Sequence, residues 1–77
     1  MDTTRLDLNL LLTLEALLAE QNVTKAAARL HLSQPAVSAQ LNRLRDMFDD
    51  PLLIPARRGM TPTAKALELI VPVRESL

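Results

Sequence analysis

From Leu8 the chain reads LNLLLTLEALLAEQ without glycine or proline, and Leu10, Leu11, Leu14, Leu17 and Leu18 fall at i, i+1, i+4, i+7 and i+8. That spacing lays one broad apolar stripe along a helix, with Asp7 as its candidate N-cap. Asn22-Val23 interrupts the pattern, and Thr24 is the expected N-cap of a short second helix, KAAARL. Its alanines favour helix and leave a slim surface that another helix can approach closely. His31-Leu32-Ser33 reads as a tight connection. Ser33 is the expected cap of a third helix, and Pro35 falls in the first turn, where a missing N–H costs little. Leu32 before the cap and Val37 after it are spaced as a hydrophobic staple. Val37, Leu41, Leu44 and Phe48 then recur at i, i+4, i+7 and i+11, a narrow buried stripe. The opposite face carries Pro35, Ala36, Ser38, Ala39, Asn42 and Arg43, flanked by Gln34 and Arg45.

Asp49-Asp50-Pro51 stops that helix. Leu52-Leu53-Ile54-Pro55 and Met60-Thr61-Pro62 are short extended segments around Ala56-Arg57-Arg58-Gly59, and their prolines confine them to a small edge hairpin. Gly59 supplies the positive φ that such a turn needs. Thr63 is placed to cap a last helix, AKALELIVPVRESL, which Pro72 should kink or shorten. The fold class is mainly all-α, with three helices, a β-hairpin and a C-terminal helix.

Composition narrows the function. Seventy-seven residues make one small domain or a piece of something larger, whose marginal core is often completed by a partner. Hydrophobic residues make up 48%, with 17 Leu and 10 Ala, and Phe48 is the lone aromatic, a balance that suits packed helices. No cysteine is present, which excludes disulfides and thiolate metal sites, and one histidine and one glycine leave little for metal or phosphate-loop chemistry. His31 reads as a turn residue and Asp49-Asp50 as a helix terminator, so no catalytic or metal residue is assigned. An enzyme is the remotest reading, because no nucleophile–base pair is visible. No targeting segment or membrane span is read, and a reducing cytoplasm, at the nucleoid, is the expected location.

The zero net charge conceals segregation. Residues 1–20 sum to −3, residues 21–67 to +4 and residues 68–77 to −1, with no acid between Gln21 and Arg45. A basic middle segment points to an anionic partner.

Two helices joined by a three- or four-residue turn, the second opening with small and amide side chains, describe a helix-turn-helix. The start of the second helix must enter the major groove of double-stranded DNA, so bulk there would clash. Gln34 is suited to an adenine edge, while Pro35, Ala36 and Ala39 are compact enough to meet a thymine methyl. Ser33, Ser38 and Thr24 are suited to phosphate or base groups, Thr24 and Ser33 being helix caps first. The Arg57-Arg58 turn adds a wing, and seven basic residues on these elements, Lys25, Arg29, Arg43, Arg45, Arg57, Arg58 and Lys65, supply sequence-independent attraction. A winged module that binds protein instead is the alternative, and a steep salt dependence would separate the two.

The run from Thr24 to Ser38, TKAAARLHLSQPAVS, closely resembles the signature of LysR-type transcriptional regulators. The resemblance continues through Leu41-Asn42-Arg43-Leu44, Asp50-Pro51-Leu52 and Arg57 to Thr63, and covers about residues 6–77. It implies a winged helix-turn-helix DNA-binding domain over residues 1–62, with recognition helix 34–48 and wing 52–61, and a truncated linker helix over 63–77. It further implies DNA contacts from Thr24, Lys25, Ser33, Gln34, Pro35, Ala36, Ser38, Ala39, Asn42, Arg43, Arg57 and Arg58. Related regulators are bacterial and bind interrupted inverted repeats as homodimers through the linker helix. This implies an interface at Leu67, Leu69, Ile70 and Val73, its extent limited by Pro72 and the chain's end at Leu77. No cofactor is expected in this domain, since a small-molecule effector would bind a missing C-terminal domain. The chain departs from the family pattern at Ala39, where Arg is frequent, at Leu53 and Pro55 in the wing, and at Arg45, where an acid is common.

Overall fold

Leucines from four helices and a hairpin meet around the first helix in the computed structural model, which describes residues 8–77. The elements run α1 (Leu8–Glu20), α2 (Val23–Leu30), α3 (Gln34–Phe48), β1 (Leu53–Pro55), β2 (Met60–Pro62) and α4 (Ala64–Ser76). Asp7, the candidate cap of α1, lies outside the described residues. The stripe on α1 is the centre of the core: Leu10, Leu14, Leu17 and Leu18 are buried, and α2, α3 and α4 all pack on this helix. Val37, Leu41 and Leu44 of α3 join it, with Phe48 half-buried at the edge. Thr13 is the buried polar residue among them, and its hydroxyl donates to the Gln40 carboxamide oxygen, tying α1 to α3.

Local capping sets the boundaries. The hydroxyls of Ser33 and Thr63 accept the N–H of Ala36 at 3.2 Å and of Ala66 at 3.1 Å, as expected from the sequence. The cap of α2 is Asn22, not Thr24: the Asn22 side chain accepts the Lys25 N–H at 2.9 Å, and its carbonyl takes the first helical bond, from Ala26. Asn and Thr both favour this role, and Asn, the better cap, comes first in the chain. Thr24 is therefore already inside the helix, with its hydroxyl released from capping. At the other end α2 closes on His31 in the left-handed conformation, with φ 58.

The hairpin is antiparallel, pairing Leu53 with Pro62, Ile54 with Thr61 and Pro55 with Met60. The first strand starts one residue later than expected, because Leu52 is turned to φ 64 and buried completely. Asp50 secures this corner, its carboxylate accepting from the Leu52 N–H at 2.8 Å and the Thr63 hydroxyl at 2.7 Å. These two bonds, the Thr63 one foremost, hold the Asp50 carboxyl below its ordinary pKa; desolvation opposes them and Lys65 assists.

Pro72 does not end the last helix, which continues to Ser76. Beyond it, Val73 is buried in the core and the Arg74 guanidinium lies 3.7 Å from the Glu15 carboxylate of α1. Tertiary packing thus carries α4 past the proline.

Candidate nucleic-acid interface

The α2–turn–α3 unit presents the beginning of α3 to solvent. Ser33, Gln34, Pro35, Ser38 and Ala39 are exposed there, and Ala36 is half-exposed. Pro35 occupies the first turn without disturbing the helix, because no helical N–H is required at that position. The same face continues, one turn further, with exposed Asn42 and Arg43. Its opposite side is wholly committed to the core through Val37, Leu41 and Leu44. The result is a rigid rod with a compact, polar front.

Thr24 and Lys25 stand exposed at the first turn of α2. The wing turn carries Arg57 and Arg58, both exposed. Backbone contacts anchor it: the Ala56 N–H donates to the Gly59 carbonyl at 3.0 Å, and the Met60 N–H donates to the Gln21 carbonyl at 2.8 Å. Gly59 has φ 82, and a Cβ there would collide with the Gln21 carbonyl oxygen. Glycine is thus required twice, for its conformation and for its thinness. The wing consequently rests on the corner between α1 and α2, beside the Asn22 cap.

The seven cations of the basic segment do not act alike. Arg29 reaches Glu15 at 3.0 Å and Glu20 at 3.4 Å, so its charge is neutralised within the domain. Arg45 donates to the Pro51 carbonyl (2.8 Å), the Leu53 carbonyl (2.8 Å) and the Asn42 carboxamide oxygen (3.1 Å). Among the described residues, no ion pair or hydrogen bond engages the side chains of Lys25, Arg43, Arg57 or Arg58. Those four are the cations presented outward from α2, α3 and the wing.

The expected interface on α4 divides into two halves. Val73 is only 5% exposed and belongs to the core, so it is withdrawn from any contact surface. Leu69 and Ile70 are half-buried against the core. Leu67 and Val71, at i and i+4, are 57% and 58% exposed. Val71, four residues after Leu67, marks the outer edge of the apolar stripe on this helix.

Among the described residues, no group of acidic or histidine side chains is arranged to hold a metal ion, and no helix is long and apolar enough to cross a membrane.

Residues 8–67 match the family model described as bacterial regulatory helix-turn-helix protein, lysR family. The HTH-type transcriptional regulator PhcA of Ralstonia nicotianae is 51% identical over 71 residues, covering 92% of this chain and 20% of the relative. A probable transcriptional regulator of Pseudomonas aeruginosa superposes with a TM-score of 0.89 at 43% identity, over 94% of this chain and 24% of that one. The DNA-binding domain of BenM in complex with catB site 1 DNA superposes with a TM-score of 0.85 at 27% identity, over 92% and 80% of the two chains. This chain therefore spans about a fifth of the curated regulator it matches. That relative is a transcriptional regulator, not an enzyme.

Proposed function

The chain belongs to the lysR family of bacterial regulatory helix-turn-helix proteins, as its N-terminal DNA-binding domain, and we propose that it brings a transcriptional regulator to an interrupted inverted repeat in promoter DNA as a homodimer. The observation that carries this reading is the front of α3: a Ser33-capped helix start whose exposed side chains, Gln34, Pro35, Ser38 and Ala39, are all small or polar. Gln34 and Ser38 read base edges in the major groove, while Pro35, Ala36 and Ala39 let the helix approach. Thr24, Lys25 and Arg43 take phosphates beside it, and Arg57 and Arg58 extend the contact from the wing. The likeness to a domain solved on DNA supports this placement.

Homodimerisation through α4, acting as a linker helix over residues 63–77, is supported by Leu67 and Val71, which the small core leaves uncovered. Leu69 and Ile70 lend their exposed edges. A two-fold pair of recognition helices would lie about 34 Å apart or a multiple of it, matching the repeat. A small-molecule effector, in this reading, acts on another part of a longer protein, and the regulator works in the cytoplasm at the nucleoid.

Selection of bound duplexes from a random pool, followed by titration at several salt concentrations, tests the proposal. A symmetric preferred site with a steep salt dependence is the expected result. Recovery of no preferred sequence, with weak and salt-independent binding, would overturn it.

A further inference from the structure

Arg45 sits where its charge would suggest a phosphate contact, yet its donors are turned inward. Nε donates to the Pro51 carbonyl and one terminal nitrogen to the Leu53 carbonyl, both at 2.8 Å. These two bonds tie α3 to the approach and first residue of β1 and fix the plane of the guanidinium. The remaining terminal nitrogen meets Asn42 at 3.1 Å. An arginine only donates, so the atom of Asn42 facing it must be the carboxamide oxygen. Asn42 itself lies one turn beyond Ser38 and Ala39, on the exposed front of the helix.

We propose that Arg45 is a positioning residue for DNA recognition, which turns the oxygen of Asn42 inward so that its NH2 group faces the duplex, and holds the wing against α3 with the same fork. The proposal rests on the reading of α3 as the recognition helix. Its consequence is chemical. The side-by-side pairing of an asparagine with adenine uses the amide oxygen and nitrogen together. With the oxygen engaged by Arg45, Asn42 offers a donor and selects an acceptor: the N7 of either purine, the O6 of guanine, the O4 of thymine, or a phosphate oxygen, while the two-bond pairing particular to adenine is weakened. A lysine cannot replace the arginine, because a single ammonium on a flexible stem does not span three acceptors in a plane.

The test compares the 77-residue chain with Arg45→Met, Arg45→Lys, Asn42→Ala and the Arg45→Met/Asn42→Ala pair, each confirmed folded by circular dichroism at the working temperature. Each is put through duplex selection and titrated on the parent's preferred site. Asn42→Ala is expected to weaken binding roughly 3–10-fold. In the Arg45→Met background the same change should have less than half that effect, because the amide has already lost its orientation. Arg45→Lys should behave like Arg45→Met, and it supplies the comparison if the methionine variant fails to fold. A base preference that broadens toward adenine at one position assigns the acceptor to a base edge. A loss equal on all sequences assigns it to phosphate. Independent effects of Arg45 and Asn42, multiplying without coupling, would overturn the proposal while leaving the DNA-binding reading intact. A parent chain that selects no duplex would overturn that reading and this one with it.

Discussion

Helices α3 and α4 differ in how completely the domain uses them. On α3 the apolar stripe of Val37, Leu41 and Leu44 is absorbed, and what remains outside over its first three turns is small, polar or basic, with Met47 the large apolar side chain exposed near its C-terminal end. Among the described residues of α4 only Ala66 and Val73 are buried, while Leu67 and Val71 stand more than half exposed. A surface that meets DNA can be polar throughout, because phosphates and base edges replace water's hydrogen bonds. A surface that meets another protein keeps apolar area in reserve. One domain of this size thus shows a finished face and an unfinished one.

The sharpest way to break the contrast is on α4, at two valines separated by a single residue. Val73→Asp places a carboxylate in the core and should cost several kcal/mol, abolishing the cooperative thermal transition. Val71→Asp should leave stability within about 0.5 kcal/mol, yet weaken self-association in sedimentation experiments and binding to a full palindrome. If Val71→Asp remains a dimer, the exposed edge of α4 is not the interface.

On α3 the expected loss is smaller and appears in recognition. Gln34→Ala should cost roughly 1–3 kcal/mol on the preferred site and relax base preference, with non-specific binding nearly intact. Competition between selected and random duplexes measures this, and equal losses on both would remove Gln34 from base reading.

The wing sharpens the comparison from the electrostatic side. Replacing Arg57 and Arg58 together by Ala should weaken binding evenly across sequences and lower the salt slope by about two or less. An unchanged slope would show that the turn stays clear of phosphate.

The junction between the two helices carries the smallest effect. Since the folded-state pKa of Asp50 is depressed, its contribution to stability is present above the ordinary carboxylate value, about 3.9, and is lost as pH falls through the folded value. The parent's advantage over Asp50→Asn in thermal unfolding should hold from about pH 7 to 5 and shrink on further acidification. An advantage constant down to about pH 2.5 would mean that the charged form is not what Leu52 and Thr63 stabilise.

Local signals were legible in the sequence and distant ones were not. Ser33 and Thr63 announce helix starts because the hydrogen bond involved spans only three residues. The buried stripe of α3 is legible for the same reason, since periodicity is a property of one segment. Thr24 was misplaced by two residues because two good capping side chains compete there, and only the bond to Lys25 decides for Asn22. Arg29 and Arg45 resemble DNA-facing cations on paper. Their partners, Glu15 and the carbonyls of Pro51 and Leu53, are acids or main-chain atoms brought in by folding, and no spacing rule marks them. Val73 entered the candidate interface because an apolar residue late in α4 gives no sign of which side α1 will cover. Among the site residues, the front of α3 was the part read correctly as exposed, for there the absence of bulk is itself the signal.

The way the wing is fastened also bears on how such a domain can be altered. Its turn is held to the α1–α2 corner by the Met60 N–H, the Gln21 carbonyl and the bare backbone of Gly59. None of these depends on the side chains of Ala56, Arg57 or Arg58. Inheritance or engineering can therefore rewrite the three turn positions, changing charge or reach, while the scaffold beneath keeps its shape. Gly59 is the exception, the single fixed letter in an otherwise replaceable word.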